Sequence, residues 1–281
     1  MSTGWLDDDT ALFVRYGDAF VPRRREQLDI VCDLLGELPR PVVLELGCGD
    51  GRLTERLLGR LPEVRVTAVD ASARMLRLAR IRLAGFAERV ALRRVGMEED
   101  GALRRVGMEE DGALRRVGME EDGALCRVGM EEGGALCRVG GEEDGAPGGG
   151  PYGAVVTSLA VHHLDDRAKQ ALYRRVRAAL APGGAFVMAD LVSPVGPAPL
   201  ALAAARWDAE VAAADPAATL PFESARWNTF RFPDPVDRPT GVGEHLTWLA
   251  RAGFADADVC WLYAGHAVFH SRRPGRSEET A

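Results

Sequence analysis

The sequence has little lysine and none of the cysteine patterns that mark metal-binding or redox proteins. Lys169 is the only lysine among 35 basic residues, so nearly all the positive charge is arginine. The chain has 5 cysteines, and those outside its repetitive segment, Cys32, Cys48 and Cys260, are far apart. This spacing is not that of zinc ligands or of a disulfide-exchange pair, so the sequence predicts no metal site.

Long apolar runs are also missing. No stretch approaches the roughly 20 uninterrupted apolar residues of a membrane helix. The N-terminus has three acidic residues over 7–9 and no apolar core of the signal-peptide type. Hydrophobic residues make up 47% and charged residues 27% of the chain, which excludes wholesale disorder. We therefore expect a globular cytoplasmic protein with reduced cysteines and no membrane partner.

The acidic charge is concentrated in one segment. The formal net charge is −7 at pH 7, and the segment from Arg93 to Pro147 has 8 arginines against 14 acidic residues. The remainder of the chain is close to neutral and has no extended basic stripe beyond the arginines over 23–25. A nucleic-acid partner is therefore not expected.

The acidic segment is a tandem repeat. An eleven-residue unit, Arg-Arg-Val-Gly-Met-Glu-Glu-Asp-Gly-Ala-Leu, begins at Arg93 and recurs from Arg104 and Arg115, and diverged copies begin at Cys126 and Cys137. An eleven-residue apolar period would suit a right-handed coiled coil, but each glycine costs about 1 kcal/mol inside a helix. We expect a single domain over 1–281 that carries a flexible, repeat-rich insertion over 96–150. An ordered helical or hairpin projection is the alternative.

Outside the repeat, strands alternate with amphipathic helices. Short apolar runs predict strands over 42–46, 64–69, 90–95, 154–159 and 186–191, and a last pair of strands over 259–263 and 267–270. This alternation predicts an α/β fold with a doubly wound, mainly parallel seven-stranded sheet, and the last pair is expected to be antiparallel.

A glycine-rich turn follows the first predicted strand, and a helix follows the turn. This arrangement binds nucleotides, because the helix N-terminus offers free N–H groups and glycine lets the backbone approach the ligand. A dinucleotide fingerprint that begins at Gly47 would need glycine where Arg52 stands. Asp70 ends the second strand, where its carboxylate would accept hydrogen bonds from two ribose hydroxyls and repel the 2′-phosphate of NADP.

Four segments resemble, in the correct order, the motifs of the class I S-adenosylmethionine (SAM)-dependent methyltransferases. Residues 43–51 resemble the first motif, 69–72 with Met75 the second, 158–164 the segment after the fourth strand, and 180–184 the turn before the fifth. The resemblance covers nearly all of the chain outside the repeat. It implies a Rossmann-like methyltransferase fold, SAM as the cofactor, and in-line transfer of a methyl group to a small-molecule acceptor.

The resemblance also implies roles for individual residues. The implied cofactor-binding residues are Tyr16, Arg23, Glu45, Gly47, Cys48, Gly49, Gly51, Asp70, Ala71, Met75, Met97 and Ser158. His163 is the candidate catalytic base, with a structural turn formed by His162 and His163 as the alternative. The acceptor pocket is expected in the C-terminal part, around Trp207, Trp227, Asn228, Tyr263 and His266.

One departure from the family pattern keeps other functions open. Related proteins often have an acidic residue just after the third strand, near the adenine, where this chain has Gly96 followed by Met97. The repeat begins at the same place, so one alternative is a degenerate SAM-binding domain without activity.

A tRNA- or RNA-modifying methyltransferase is a further alternative function. The acceptor, the oligomeric state and the repeat copy that forms the third strand are left undetermined.

Overall fold

The computed structural model describes residues 7–36, 38–99 and 151–275. Strands and helices alternate through these ranges, as the sequence predicts. The strands are β1 (Val42–Leu46), β2 (Arg65–Asp70), β3 (Val90–Arg94), β4 (Tyr152–Ser158), β5 (Leu180–Leu191), β6 (Ala255–Tyr263) and β7 (His266–Arg272). The helices are α1 (Asp7–Phe20), α2 (Arg24–Asp33), α3 (Arg52–Arg60), α4 (Ala73–Arg82), α5 (Asp166–Ala179), α6 (Pro197–Ala214), α7 (Pro216–Ser224) and α8 (Val242–Arg251).

The strands form one seven-stranded sheet in the order β3-β2-β1-β4-β5-β7-β6. Strands β1 to β5 pair in parallel, and β7 is antiparallel to both β5 and β6. The predicted doubly wound, Rossmann-like sheet with an antiparallel C-terminal pair is therefore confirmed. The strand order reverses between β1 and β4, and such a reversal opens a crevice at the carboxyl ends of the strands.

Two apolar layers enclose this sheet. Neighbouring residues of β1 point to opposite faces, so Val43 belongs to the layer under α2, α3 and α4, while Leu44 belongs to the layer under α5 and α8. All seven residues of β4 are buried, because this strand lies at the centre of the sheet and is covered on both faces. No helix within the described ranges is long and apolar enough to cross a membrane.

A third apolar cluster joins α1, α6 and α7 beside the end of β5. Phe20 lies at its centre, with ring centroids 5.3 Å from Phe222 and 5.1 Å from Trp227. The indole of Trp207 donates to the Phe20 carbonyl at 2.7 Å and meets His266 edge-on at 4.7 Å. Trp207 and His266 are only 3% and 1% exposed, so they are core residues and do not form the expected acceptor pocket.

The first repeat copy supplies part of the third strand. Arg93 and Arg94 are the last residues of β3, and the Val95 N–H then donates to the Asp70 carbonyl at 3.0 Å. Arg175 of α5 anchors the segment that follows β3. Its guanidinium donates to the carbonyl oxygens of Met97, Glu98 and Glu99. The rest of the predicted insertion, residues 100–150, lies outside the described residues.

Leucine-to-alanine substitutions should distinguish the packed layers from the surface. Leu57 of α3 is fully buried, whereas Leu202 of α6 is 57% exposed. Leu57→Ala should lower the free energy of unfolding by about 2–5 kcal/mol, because it leaves a cavity. The matched Leu202→Ala should change it by less than about 0.5 kcal/mol. Urea denaturation measures both, and equal losses would contradict the assignment of the core.

Candidate functional site

A cleft of about 500 Å³ opens at the carboxyl ends of β1, β2 and β4. It lies at the reversal of strand order, where α/β sheets bind their ligands. Most of the predicted site residues line it, namely Glu45, Gly47, Cys48, Gly49, Asp70, Ala71, Met75, Met97, Ser158 and His163. Its lining also includes Phe13, Arg24, Asp50, Arg52 and Arg94, which the sequence did not single out.

Glycine is required in the loop that follows β1. Gly47 and Gly49 have φ angles of +65° and +54°, which side-chain-bearing residues rarely adopt. A Cβ atom on Gly47 would also lie 2.6 Å from the Ala160 Cβ and 3.1 Å from the Met97 Cε. A Cβ atom on Gly49 would meet nothing within 4 Å. The loop therefore packs against the cleft wall at Gly47 and borders open space at Gly49.

Asp70 connects this loop to the end of β2. Its Oδ2 accepts the Gly49 N–H at 2.8 Å, and its Oδ1 accepts the Ser72 N–H at 2.8 Å. Ser72 in turn caps α4 by accepting the Met75 N–H at 3.2 Å. Burial raises the pKa of Asp70, although both backbone N–H groups favour its charged form. Each carboxylate oxygen keeps a further lone pair for a ligand hydroxyl.

Glu45 forms the floor of the cleft below the glycine loop. It is 1% exposed, and the Thr54 hydroxyl donates to its Oε2 at 2.5 Å. Burial raises the pKa of Glu45 to about 8, so this carboxyl is largely protonated at neutral pH. Burial also raises the pKa of the neighbouring Cys48 thiol well above its usual value, which makes Cys48 a poor nucleophile.

An acidic residue does lie next to the position of Gly96, although the family pattern is broken there. The Gly96 N–H donates to the Glu99 carboxylate at 2.8 Å, and Glu99 belongs to the first repeat copy. The thioether of Met97 lies in the cleft together with Ala71 and Met75. This side of the cleft therefore presents an apolar surface, and the Glu99 carboxylate is not part of the lining.

Asp190, at the carboxyl end of β5, fixes the turn that follows β4. Its Oδ2 accepts the backbone N–H groups of Val161 and His162 at 2.8 and 3.0 Å, and its Oδ1 lies 2.5 Å from the His162 Nδ1. Burial alone would lower the pKa of His162, but the charge and hydrogen bond of Asp190 raise it above the ordinary value. His162 is therefore a buried, carboxylate-bound imidazole, which agrees with the structural-turn alternative for this residue.

His163 lines the cleft beside this turn and lies close to a second carboxylate. Its Nδ1 is 3.3 Å from Asp237 Oδ1, and the His162 Nε2 is 3.5 Å from the same oxygen. Burial and the charge of His162 lower the pKa of His163 below its ordinary value. The two adjacent histidines thus have pKa values shifted in opposite directions, and His163 is the one that is neutral at pH 7.

The loop that carries Asp237 is held by the only lysine. The Lys169 ammonium donates to the Thr240 hydroxyl at 2.7 Å and to the Arg238 carbonyl, and the Arg238 N–H donates to the His162 carbonyl at 2.7 Å. Ligand atoms of His162, His163 and Asp237 lie within 4.8 Å of one another, a spacing that a metal ion could bridge. The same atoms already pair as histidine–carboxylate contacts, so the cluster is accounted for without an ion.

Three predicted cofactor residues lie outside the lining of the cleft. Tyr16 stacks on Phe20 with centroids 5.5 Å apart, and Gly51 is the N-cap residue before α3, with a φ angle of +85°. The guanidinium of Arg23 lies over the Tyr263 ring at 4.1 Å and 3.5 Å from Glu210. Arg23 is in the left-handed conformation just before α2, and the next residue along the chain enters the cleft instead.

Some of the other site residues could have been predicted from the sequence, and others could not. Asp190 lies near the end of a predicted strand, at the same edge of the sheet as Asp70, so the sequence could have indicated it as a site residue. Asp237 lies in a proline-rich loop without any pattern, and only the tertiary fold brings it to the histidines. Asn228, expected near the acceptor, is 1% exposed and donates to the Ala204 carbonyl at 3.0 Å.

Part of the sequence is similar to curated methyltransferases. Residues 43–102 match the family described as "Methyltransferase domain". A trans-aconitate 2-methyltransferase of Rhodopseudomonas palustris is 42% identical over 79 residues, which are 28% of this chain and 29% of that protein. The same enzyme of Methylobacterium nodulans is 37% identical over 84 residues, 29% of this chain and 30% of that protein. The matched segments thus span less than a third of these relatives.

Solved structures share the fold over almost the whole chain. An O-methyltransferase family protein from Burkholderia thailandensis superposes with a TM-score of 0.58 at 14% identity, covering 96% of this chain and 60% of that one. An O-methyltransferase family 2 protein from Planctomyces limnophilus, solved with apigenin, gives a TM-score of 0.55 at 16% identity, covering 97% and 63%. The chain therefore shares the seven-stranded fold of these methyltransferase structures, and residues 43–102, with the glycine loop joined to Asp70, match the methyltransferase domain.

Proposed function

We propose that this protein transfers a methyl group from SAM to a small-molecule acceptor in the cleft at the ends of β1, β2 and β4. The observation that carries the proposal is the hydrogen bond between the Gly49 N–H and Asp70, which joins the glycine loop to the carboxylate that we assign to the ribose. SAM, when bound, supplies an activated methyl group on a sulfonium. The protein then has to bind, orient and shield the reactants from water.

The residues present fit this cofactor. Asp70 has free acceptor capacity for two ribose hydroxyls, and Ala71, Met75 and Met97 offer an apolar wall for the adenine. The open space at Gly49 admits a ligand close to the backbone. We assign cofactor contacts to Glu45, Gly47, Cys48, Gly49, Asp70, Ala71, Met75, Met97 and Ser158. Tyr16, Arg23 and Gly51 are left out of this assignment because they do not line the cleft.

His163 is the proposed proton acceptor when the acceptor group is a hydroxyl. A hydroxyl must lose its proton during methylation, and a neutral imidazole is a suitable base near pH 7. Asp237 lies 3.3 Å from His163 Nδ1, where it orients the ring and stabilises the imidazolium that forms. Asp190, through His162, holds the whole turn in place.

A carboxylic acid is the second candidate class of acceptor. Two relatives with matching segments are named for trans-aconitate, which is a carboxylate. A carboxylate oxygen is already a nucleophile at neutral pH, so its methylation needs no base. In that case, His163 would contribute to the wall of the cleft and would not take a proton.

Activity assays test the proposed reaction directly. Incubation with methyl-labelled SAM and a panel of small hydroxy and carboxylic acids should give a labelled small molecule, detected by mass spectrometry. Asp70→Asn should raise the KM for SAM by about 10–100-fold, because a hydrogen bond to a charged group is lost. The exposed Asp33→Asn is the control and should leave the KM unchanged. Absence of saturable SAM binding by the wild type would contradict the proposal, and labelling of bulk tRNA alone would favour an RNA-modifying enzyme.

The pH profile distinguishes the two acceptor classes. With a hydroxyl acceptor, kcat/KM should be level above about pH 7 and fall as the pH drops through a pKa below 6.5, since protonated His163 cannot accept a proton. His163→Gln should reduce kcat by about 10²–10⁴-fold and remove this acidic limb. A wild-type profile that is flat from about pH 5 to 9 would exclude His163 as the base.

Deletion of the repeats tests the proposed single domain with an insertion over 96–150. Removing residues 104–147 keeps one repeat copy, with β3 and β4 intact. The deletion shortens the segment between β3 and β4 about four-fold. This lowers the entropic cost of closing the loop by about 1 kcal/mol, so the free energy of unfolding should stay equal or rise slightly. Calorimetric titration with SAM should show tighter binding if the expansion disturbs the adenine side. If the deletion variant does not fold, the repeats are not an insertion into a single domain. If it binds SAM with the same affinity as the full-length protein, the repeats do not disturb the adenine side of the cleft.

A further inference from the structure

Lys169 is a fully buried cation between α5 and the loop that carries Asp237. It is the fourth residue of α5, and it is 0% exposed. Its ammonium donates to the Thr240 hydroxyl at 2.7 Å and to the Arg238 carbonyl, whereas its ion-pair partner, Asp166, is 3.8 Å away and 67% exposed. Burial lowers the pKa of Lys169, because the charged ammonium loses its hydration. The contacts that offset this cost are made to one loop.

The residues that Lys169 binds follow Asp237 directly in the chain. The segment 238–240 has a proline at its centre, whose ring fixes its φ angle. The Arg238 N–H donates to the His162 carbonyl at 2.7 Å, so the segment is also joined to the turn after β4. Lys169 therefore fixes the backbone immediately next to Asp237, on the side of the loop that meets the histidines.

Asp237 acts on the histidine that lines the cleft. Its Oδ1 lies 3.3 Å from the His163 Nδ1. Burial and the charge of His162 lower the pKa of His163, and the carboxylates of Asp237 and Asp190 oppose this effect. If Asp237 moved away, the ring of His163 would lose an orienting partner, and its pKa would fall further.

The charge of Lys169 acts on histidine in a different way from its contacts. A nearby positive charge disfavours the imidazolium, and Lys169 lowers the pKa of His162 for this reason. Loss of that charge alone would raise the pKa of a neighbouring histidine, whereas loss of Asp237 would lower the pKa of His163. The two roles of Lys169 thus predict opposite results. The charged groups that face its ammonium are Asp165, Asp166, Asp190, His162 and Arg238.

We propose that Lys169 is a positioning residue for the base: by holding residues 238–240, it keeps Asp237 against His163 and so orients the imidazole that lines the cleft. The proposal rests on the proposed function for the role of His163 as a base. The contacts themselves do not depend on any acceptor. Lys169 does not line the cleft, so it acts through Asp237 and touches no reactant.

A titration of His163 in the free protein tests the proposal without any substrate. The ring signals of His163 are followed by NMR against pH in the full-length wild type, Lys169→Met, Asp237→Asn and the double variant. Lys169→Met should move the midpoint to lower pH, in the same direction as Asp237→Asn, because both remove the carboxylate from the ring. The double variant should have the midpoint of Asp237→Asn alone, since Lys169 acts through Asp237.

Arg167→Met is the matched control. It removes a positive charge from the same helix two residues earlier, where the side chain is exposed, and should leave the His163 midpoint unchanged. With a hydroxyl acceptor, Lys169→Met should also reduce kcat by about 10–100-fold, because the base is no longer held in position. The KM for SAM should stay the same.

A His163 midpoint that is unchanged or raised in folded Lys169→Met would overturn the proposal. Folding of the variant is checked by its thermal midpoint. If Lys169→Met does not fold, Thr240→Val decides in the same way, because it removes the hydroxyl that Lys169 binds and should also lower the His163 midpoint. A lowered midpoint in a protein that methylates no hydroxyl would remove the base role from the proposed function, and the positioning of Asp237 by Lys169 would stand.

Discussion

The hydrogen bond between the Gly49 N–H and the Asp70 carboxylate is the contact on which the site depends. It joins the loop after β1 to the end of β2 at 2.8 Å, beside the reversal of strand order. The same carboxylate accepts the Ser72 N–H and so sets the start of α4. Because Gly47 admits no Cβ against Ala160, the loop is also fixed from the side of β4. One rigid turn thus carries the surfaces proposed for the ribose and for the adenine.

A second carboxylate fixes the turn on the side of the cleft that is proposed for the acceptor. Asp190 satisfies three backbone N–H groups and holds His162, so the turn after β4 has little freedom. The charge that this creates on His162 lowers the pKa of His163, the histidine that faces the cleft. Buried polar networks of this kind stabilise one arrangement only when every member is satisfied. The shape of this turn and the lowered pKa of His163 therefore share the same cause.

The fold was largely predictable from the sequence, because parallel strands are continuous apolar runs and glycine turns are short, local patterns. The same locality revealed Asp70 and the loop residues. The direction of a side chain was not predictable in the same way: Arg23 and Arg24 are adjacent, yet Arg24 lines the cleft and Arg23, in the left-handed conformation, does not. Trp207 and His266 looked like pocket residues, but both are buried. Trp207 packs against Phe222 of α7, and His266 packs against Trp207. Asp237 reaches the histidines only through tertiary contacts of its loop.

A crystal structure of the protein with S-adenosylhomocysteine, the product of the proposed reaction, tests the central claim most directly. We expect one molecule of this product in the cleft, with its ribose hydroxyls within hydrogen-bond distance of Asp70 and its adenine against Met75 and Met97. Electron density for the product at another place, or a cleft in which Asp70 does not contact the ribose, would contradict it.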